Sequence, residues 1–417
     1  MTVTEQHTTA STSSSASAKG WLSYLKHQRT TENITGWLFV APAVILIFIF
    51  GIFPIGYAAY MSVHTWRIRQ GAILCDPEAA DVIALVRSCL SNYETAVLGD
   101  WGGAALFALG LVVLFGAYLV WTRLFSKRDG AIFAVLRFAA GLVVIAVAMT
   151  LISQGYNTMI GALRTRDQAF LKGLQITIYY AFGSIPLQLG LGLLLAYVLH
   201  SRIKAKALFR TIFFLPYVTP AVAAAVVFGT VFSARATSPM NQLVQLFGGD
   251  VQRWLAEPRP FLNVVFGLNL EGFIAGPSMA LVVVIILGIW TYTGYNAVIF
   301  MAGLGNIPKD LYEAARVDGA TDWHIFRYVT MPLLSPVTFY LSILGFIGTF
   351  TAFNTLFVMR TPTNAGTLDT SALVIFDTFR AQNRWAEATA QAIVLLLLVL
   401  AMTQIQRSLL EKRVFYG

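Results

Sequence analysis

Eight stretches of this chain, 36–60, 102–122, 131–154, 173–200, 211–233, 278–303, 334–356 and 388–406, are apolar over the length a helix needs to cross a bilayer, and seven of them contain no Asp, Glu, Lys or Arg. A spanning helix takes roughly 20 consecutive, mostly apolar residues. In hydrocarbon every backbone N–H and C=O must be satisfied within the segment, so such runs predict α-helices. The expected fold class is all-α, a polytopic membrane protein with about eight transmembrane helices. Pro42, Pro54, Pro186, Pro216, Pro220 and Pro336 lie inside these runs; membrane helices tolerate them because neighbours satisfy the freed backbone groups. Composition argues against a soluble domain, since charged residues make up only 12% of the chain where a soluble domain carries about 25%. The net charge of +9 does not point to nucleic acid, because membrane proteins gather Lys and Arg on their cytoplasmic side.

That bias also predicts orientation. With a cytoplasmic N-terminus, the inner segments hold 16 of the 29 Lys and Arg in 94 residues, and the outer segments hold 12 in 134. Both termini are therefore expected inside. Residues 1–35, rich in Ser and Thr, read as a disordered cytoplasmic tail. Ala41-Pro42-Ala43 mimics a signal-peptide cleavage site, but it lies inside the first apolar run, which is too long for a signal sequence. Residues 36–60 form the first helix, 61–101 an external loop, and 102–154 a helix pair. Arg137, the one embedded charge, lies roughly 9 Å from the inner edge, where it snorkels to the interface or bonds between helices. Cys75 and Cys89 are the only cysteines and share the external loop. Two are too few for a metal scaffold; they are expected to form a disulfide there, with two free thiols as the other reading.

Several chemistries are missing their residues. Proton-coupled carriers use intramembrane carboxylates or histidines, yet no predicted span holds a carboxylate, and His7, His27, His64, His200 and His324 fall in the tail, in loops or at helix ends. A secondary carrier and a membrane enzyme are both disfavoured on that ground. There is no G-x-x-x-x-G-K-[ST] phosphate loop, so ATP-driven work must come from a partner.

The most informative segment is hydrophilic. Ile307-Pro308-Lys309-Asp310-Leu311-Tyr312-Glu313-Ala314-Ala315-Arg316-Val317-Asp318-Gly319-Ala320 is followed by Thr321, Asp322, Trp323, Pro332 and Pro336. Pro308 suits a first helical turn, and Asp310 and Glu313 favour that helix's positive end. Gly319 permits a chain reversal, Thr321 or Asp322 caps a second helix, and Pro332 is expected to end it. On local chemistry alone, an amphipathic interfacial helix pair explains the segment as well as any specific role.

The segment resembles the EAA loop of ABC importer permeases, which reads Glu-Ala-Ala, three residues, Gly, and a downstream Pro. Asp318-Gly319-Ala320, Phe326 and Pro332 with Pro336 resemble the carbohydrate, maltose-type branch. Thr177 to Ala196, Leu208 to Pro216, and Met301 to Pro308 look like further segments of that family in the same order. The likeness covers 36–60 and about 170–417, with the loop at 304–333. It implies a type I ABC importer permease fold in the plasma (inner) membrane of a prokaryote. It also implies a second permease, two ATP-binding cassette subunits that hold ATP and Mg, an extracytoplasmic solute-binding protein, and no cofactor in this chain. The implied cargo is a sugar, a di- or oligosaccharide, with a polyol or sugar phosphate as the alternative. Glu313, Ala314, Ala315, Asp318 and Gly319 would couple to the ATPases. The pair at 102–154 departs from the six-helix pattern as an insertion. Where such permeases often carry Gly-Gly-Pro, this chain reads Thr361 to Gly366.

A neutral sugar needs hydrogen-bonding groups and aromatic faces rather than charges. Trp290, Tyr292, Tyr295 and Asn296 in the sixth span, and Phe350, Phe353 and Asn354 in the seventh, are the candidates. Interfacial belt aromatics and interhelical polar contacts account for the same residues without a sugar. The inserted pair lacks a polar stripe at mid-depth, so it is expected on the periphery, off the path.

Overall fold

The structure, a computed structural model, describes residues 35–67, 71–74, 81–98, 101–124, 131–163, 169–200, 204–270 and 275–410. The two tail segments, 1–34 and 411–417, fall outside them. All eight apolar runs fold as helix, but only five remain single helices long and apolar enough to cross a membrane. These are α1 (Thr35–Ser62), α4 (Ala131–Leu163), α5 (Ala169–His200), α9 (Met279–Gly305) and α15 (Trp385–Leu410). The chain divides into two compact units between Tyr60 and Met61. In α1 a π-helical turn, Phe48–Ile52, directly precedes Phe53 and Pro54. Proline brings no N–H to the ladder, and a wider turn beside it absorbs the mismatch.

Two of the other runs break, and the helix that holds the run 102–122 is angled against the turns before it. The run 211–233 breaks into α6 (Lys206–Val218) and α7 (Ala221–Val231) at 94°. The cause is local: Thr219 precedes Pro220 and takes an extended conformation, ψ 132°, as a residue before proline is driven to do. The run 334–356 also breaks. α12 (Ser335–Phe350) stops before Phe353, and α13 (Asn354–Met359) follows. α3 (Trp101–Leu124) is bent against the helical turns at 91–97 by 75°. The third run continues nine residues past its expected end, to Leu163.

The expected external loop 61–101 is ordered in part. A two-stranded hairpin, β1 (His64–Arg67) and β2 (Gly71–Leu74), is the one addition to the all-helical frame among the described residues. After α2 (Val82–Cys89), the buried Asn92 amide donates to Ser62 O at 2.8 Å and His64 O at 3.1 Å. Cys89 is disulfide-bonded; Cys75, the chain's other cysteine, lies outside the described residues.

The core is built by α5 crossing α9, with α7, α12, α13 and α14 (Ser371–Arg380) around them. Ile176 and Tyr180 of α5 meet Leu281, Val284 and Ile285 of α9 in one apolar layer. Phe300, Leu304, Ile307, Leu334 and Leu341 form another at the opposite end of α9. Without a hydrophobic drive between helices in lipid, close packing does the work, and small residues permit it. A Cβ at Gly294 would overlap the Phe213 carbonyl oxygen of α6, and one at Gly192 would lie 2.8 Å from Asn296 Cβ. Thr177 Oγ1 accepts the Ser371 N–H at 3.0 Å, fastening α14 to α5.

The inserted helices α3 and α4 pack on each other in the same way. A Cβ at Gly110 would lie 2.7 Å from Ile152, and one at Gly155 would meet the Phe107 backbone. Tyr156 of α4 donates to Gln175 of α5 at 2.6 Å, and Gln175 donates on to Tyr179 at 2.7 Å.

Candidate transport path and coupling loop

A cavity of about 710 Å³ opens between α5, the α6–α7 break, α9 and the α12–α13 break. Each wall follows from local structure. On α5, Tyr180, Ser184 and Gln188 recur every four residues, which puts all three on one helix face. On α9, Tyr292, Tyr295 and Asn296 occupy one face, and Gly288 leaves room for the Tyr180 hydroxyl. The two helix breaks contribute Tyr217 and Thr219 on one side and Phe353 and Asn354 on the other. Tyr217 stacks on Tyr295 at 4.4 Å and meets Tyr292 edge-on at 5.9 Å, forming an aromatic shelf.

The polar groups of this wall are neutral. Ser184 donates to Tyr180 O at 2.7 Å, Thr349 to Gly345 O at 2.7 Å, and Thr351 to Ile347 O at 2.8 Å. Each hydroxyl thus spends its proton on its own helix and keeps lone pairs to accept with. Asn296 Nδ2 donates to Gln188 O at 3.4 Å, while the buried Gln188 Oε1 has no hydrogen-bond partner.

Five of the seven residues singled out for the path line the cavity: Tyr292, Tyr295, Asn296, Phe353 and Asn354. Trp290 and Phe350 do not. Trp290 is two residues from Gly288 and Tyr292, on the other side of α9, and packs against Phe228 at 5.4 Å. Phe350 is buried in the apolar core. The α5 stripe and Tyr217 were missed, although the i, i+4, i+8 spacing of Tyr180, Ser184 and Gln188 in an otherwise apolar run was legible. None of the lining residues comes from α3 or α4.

Past α13, Arg360 bridges Asp369 at 2.9 Å and Asp377 at 2.6 Å. Burial pushes the Asp369 carboxyl above its ordinary range, against the pull of Arg360. Near the start of α9 the Arg259 guanidinium, hydrogen-bonded to Glu257 at 2.8 Å, holds that carboxyl below its ordinary range.

The hydrophilic loop forms α10 (Lys309–Val317), with Pro308 at its N-cap. It ends in a paired cap: Gly319 N–H donates to Arg316 O at 3.1 Å and Ala320 N–H to Ala315 O at 2.9 Å. Gly319 has φ +78°, a left-handed conformation that glycine adopts without penalty. Glu313, Ala314 and Asp318 are exposed and Ala315 half-buried. Thr321 then caps α11 (Asp322–Leu333), accepting the His324 N–H at 3.4 Å. The helix ends at Leu333, one residue past Pro332, in line with the expected stop, although the proline itself is not where the chain turns. A π-helical turn at Phe326–Thr330 precedes it, and Pro332 sits in the first turn of the next helical stretch, where its missing N–H costs no ladder bond. The chain bends instead at Leu334, by 61°, into α12. Tyr312 of α10 hydrogen-bonds Thr330 of α11 at 3.3 Å, and Ile307 and Leu334 root both helices in the core.

Residues 188–416 match the family described as "binding-protein-dependent transport system inner membrane component". The chain belongs to this family. Such a permease is a multi-pass inner membrane protein and a transport component of an ABC system. The match leaves out α1, α3 and α4, so the likeness seen at 36–60 lies outside it. The permease is 28% identical over 255 residues to the sn-glycerol-3-phosphate transport system permease protein UgpA of Agrobacterium fabrum, covering 60% of this chain and 79% of that one. It is 30% identical over 244 residues to the lactose transport system permease protein LacF of Rhizobium radiobacter, covering 58% and 76%. It is 28% identical over 245 residues to the arabinooligosaccharides transport system permease protein AraP of Bacillus subtilis, covering 58% and 72%. Among solved structures, a bacterial alginate ABC transporter, in complex with an alginate pentasaccharide-bound periplasmic protein, matches with a TM-score of 0.50 at 21% identity, over 58% of this permease and 79% of that chain. At that identity the likeness speaks for the fold.

Proposed function

We propose that this permease carries a sugar, a di- or oligosaccharide, across the inner membrane as one half of an ABC importer, and that its cavity is its half of the path. The carrying observation is the cavity wall, where amides, hydroxyls and a tyrosine shelf form a surface suited to a polyhydroxylated solute. The names of LacF and AraP support a carbohydrate. A second permease closes the path, and an extracytoplasmic binding protein delivers the sugar. Two cytoplasmic ATPase subunits, which hold ATP and Mg, each seat one EAA loop. Both termini of this chain lie in the cytoplasm.

The fold gives the coupling a mechanical route. Glu313 offers a carboxylate on exposed α10, and Ala314 and Ala315 let an ATPase surface approach closely. α10 is tied to α11, and α11 leads through the bend at Leu334 into α12, which carries Leu341, Gly345 and Thr349 of the cavity wall. An ATPase that moves the loop thereby moves one wall of the path. Differential ATPase binding to two permease states then biases access to one side or the other.

Glu313→Lys places a cation where a carboxylate is expected to bind, and Gly319→Pro forces φ to about −65° at a residue with φ +78°. Both variants should insert and assemble normally yet take up no sugar in vesicles. Uptake at the wild-type rate by both would remove the loop from the coupling pathway.

A further inference from the structure

The relatives are named for solutes of opposite electrical character, sn-glycerol-3-phosphate in one case and lactose in another. Overall similarity therefore leaves the charge of this permease's cargo open, and the cavity chemistry bears on it directly. No Lys, Arg, His, Asp or Glu lines the cavity among the described residues. Arg360 lies five residues beyond Thr355, which lines the wall, but its guanidinium is already shared between Asp369 and Asp377. An anion leaving water here meets no free counter-charge from this chain, and an unpaired buried charge is strongly disfavoured.

The hydrogen bonds show what the wall offers in place of charge. Ser184, Thr349 and Thr351 donate their protons to their own helices, so toward a solute they act as acceptors. The buried Gln188 Oε1 is a further acceptor without a donor. Sugar hydroxyls have protons to give to such a wall. The Tyr180, Tyr217, Tyr292 and Tyr295 hydroxyls and the Gln188 and Asn354 amides add donors to the same wall, so it meets a hydroxyl as donor and as acceptor but offers an anion no charge.

We propose that this half of the path admits uncharged, hydroxyl-bearing solutes and turns away phosphorylated and carboxylated ones. The filter rests on the cavity being the path, and it acts after any selection by the binding protein.

Thr351→Cys and Asn354→Cys place single thiols on exposed positions of the wall. In the assembled complex in proteoliposomes, each is treated with an uncharged methyl methanethiosulfonate and with its anionic sulfonatoethyl analogue. Rates are normalised to each reagent's rate with a free small thiol. The filter predicts at least a ten-fold advantage for the uncharged reagent at either position. Equal or faster reaction of the anionic reagent overturns it, as does failure of the uncharged reagent to react at both. A failure of the path reading looks different: the ten-fold ratio stands, but the modified complex still imports the cargo co-purified on its binding protein at the unmodified rate.

Discussion

The inserted pair α3–α4 and the core pair α5–α9 are built by the same rule and serve different ends. Both are long, nearly free of charge, and brought close by glycines at the crossing: Gly110 and Gly155 in one, Gly192 and Gly288 in the other. Yet α3 and α4 meet through Phe107, Ala148 and Ile152, while α5 and α9 diverge from their contact into a cavity lined by Tyr180, Ser184, Gln188, Tyr292 and Asn296. Apolarity and glycine packing make a membrane helix pair. A path additionally requires polar side chains repeating on one face, next to a bent neighbour that leaves space.

The sharpest break of this comparison is steric. Gly192→Leu and Gly294→Ala each place carbon where Asn296 or the Phe213 carbonyl already lies. Overpacking of a tight contact costs about 1–3 kcal/mol, more where backbone is the obstacle. Both should lose thermal stability in detergent and lose uptake altogether. Gly155→Leu, whose Cβ would overlap the Phe107 backbone nitrogen in the inserted pair, should lose stability but retain uptake per folded molecule. Equal uptake loss from Gly155→Leu would place the inserted pair in the transport cycle.

A smaller effect weighs path against packing. Asn296→Leu removes an amide from the cavity wall, at about 1–3 kcal/mol for the unmade hydrogen bond. It should cut uptake by roughly 10- to 100-fold, with a smaller loss of melting temperature than Gly192→Leu. Val112→Ala, on the exposed face of α3, should change neither. An Asn296→Leu permease that transports normally would move the path elsewhere.

The smallest effect lies just before the N-terminal end of α9. Because Glu257 has a lowered folded value, its stabilisation is present above about pH 4.5, near the ordinary carboxylate value, and is lost as pH falls through the folded value. Glu257→Gln should therefore lower the melting temperature slightly at pH 7 and converge on wild type in acid. The exposed Arg259 partner keeps the difference small. Asp369, raised by burial, has the opposite sign: its contribution fades as pH rises, so Asp369→Asn should not show the same acid convergence. Identical pH profiles for the two variants would refute the assignment of opposite signs.

Much of this was legible in the chain because hydrophobic length and the proline, glycine and threonine of the loop act locally. The Gly319 elbow and the Thr321 cap need only their own neighbours. Trp290 shows the limit: its residue type and depth suit a sugar path, but one helix face decides, and at two residues from Tyr292 it points to Phe228. Pro332 shows another: the helix stops one residue past it, but the π-helical turn before it and the 61° bend at Leu334 were not legible.

The sequence by itself determined the membrane class, the number of apolar runs and the helix–elbow–helix loop between two of them, because desolvation of backbone and charge in lipid and the local needs of turns and caps are severe constraints. Only the tertiary structure decided where the space lies. The α6–α7 break at Thr219–Pro220 and the bend at Leu334 re-aim helices by 94° and 61°, and such angles depend on what packs against each helix. The cavity is the volume left between those bends. Its neutral, hydrogen-bonding character emerged only when Gln188, Tyr217 and Asn296, on three separate helices, were brought to one wall.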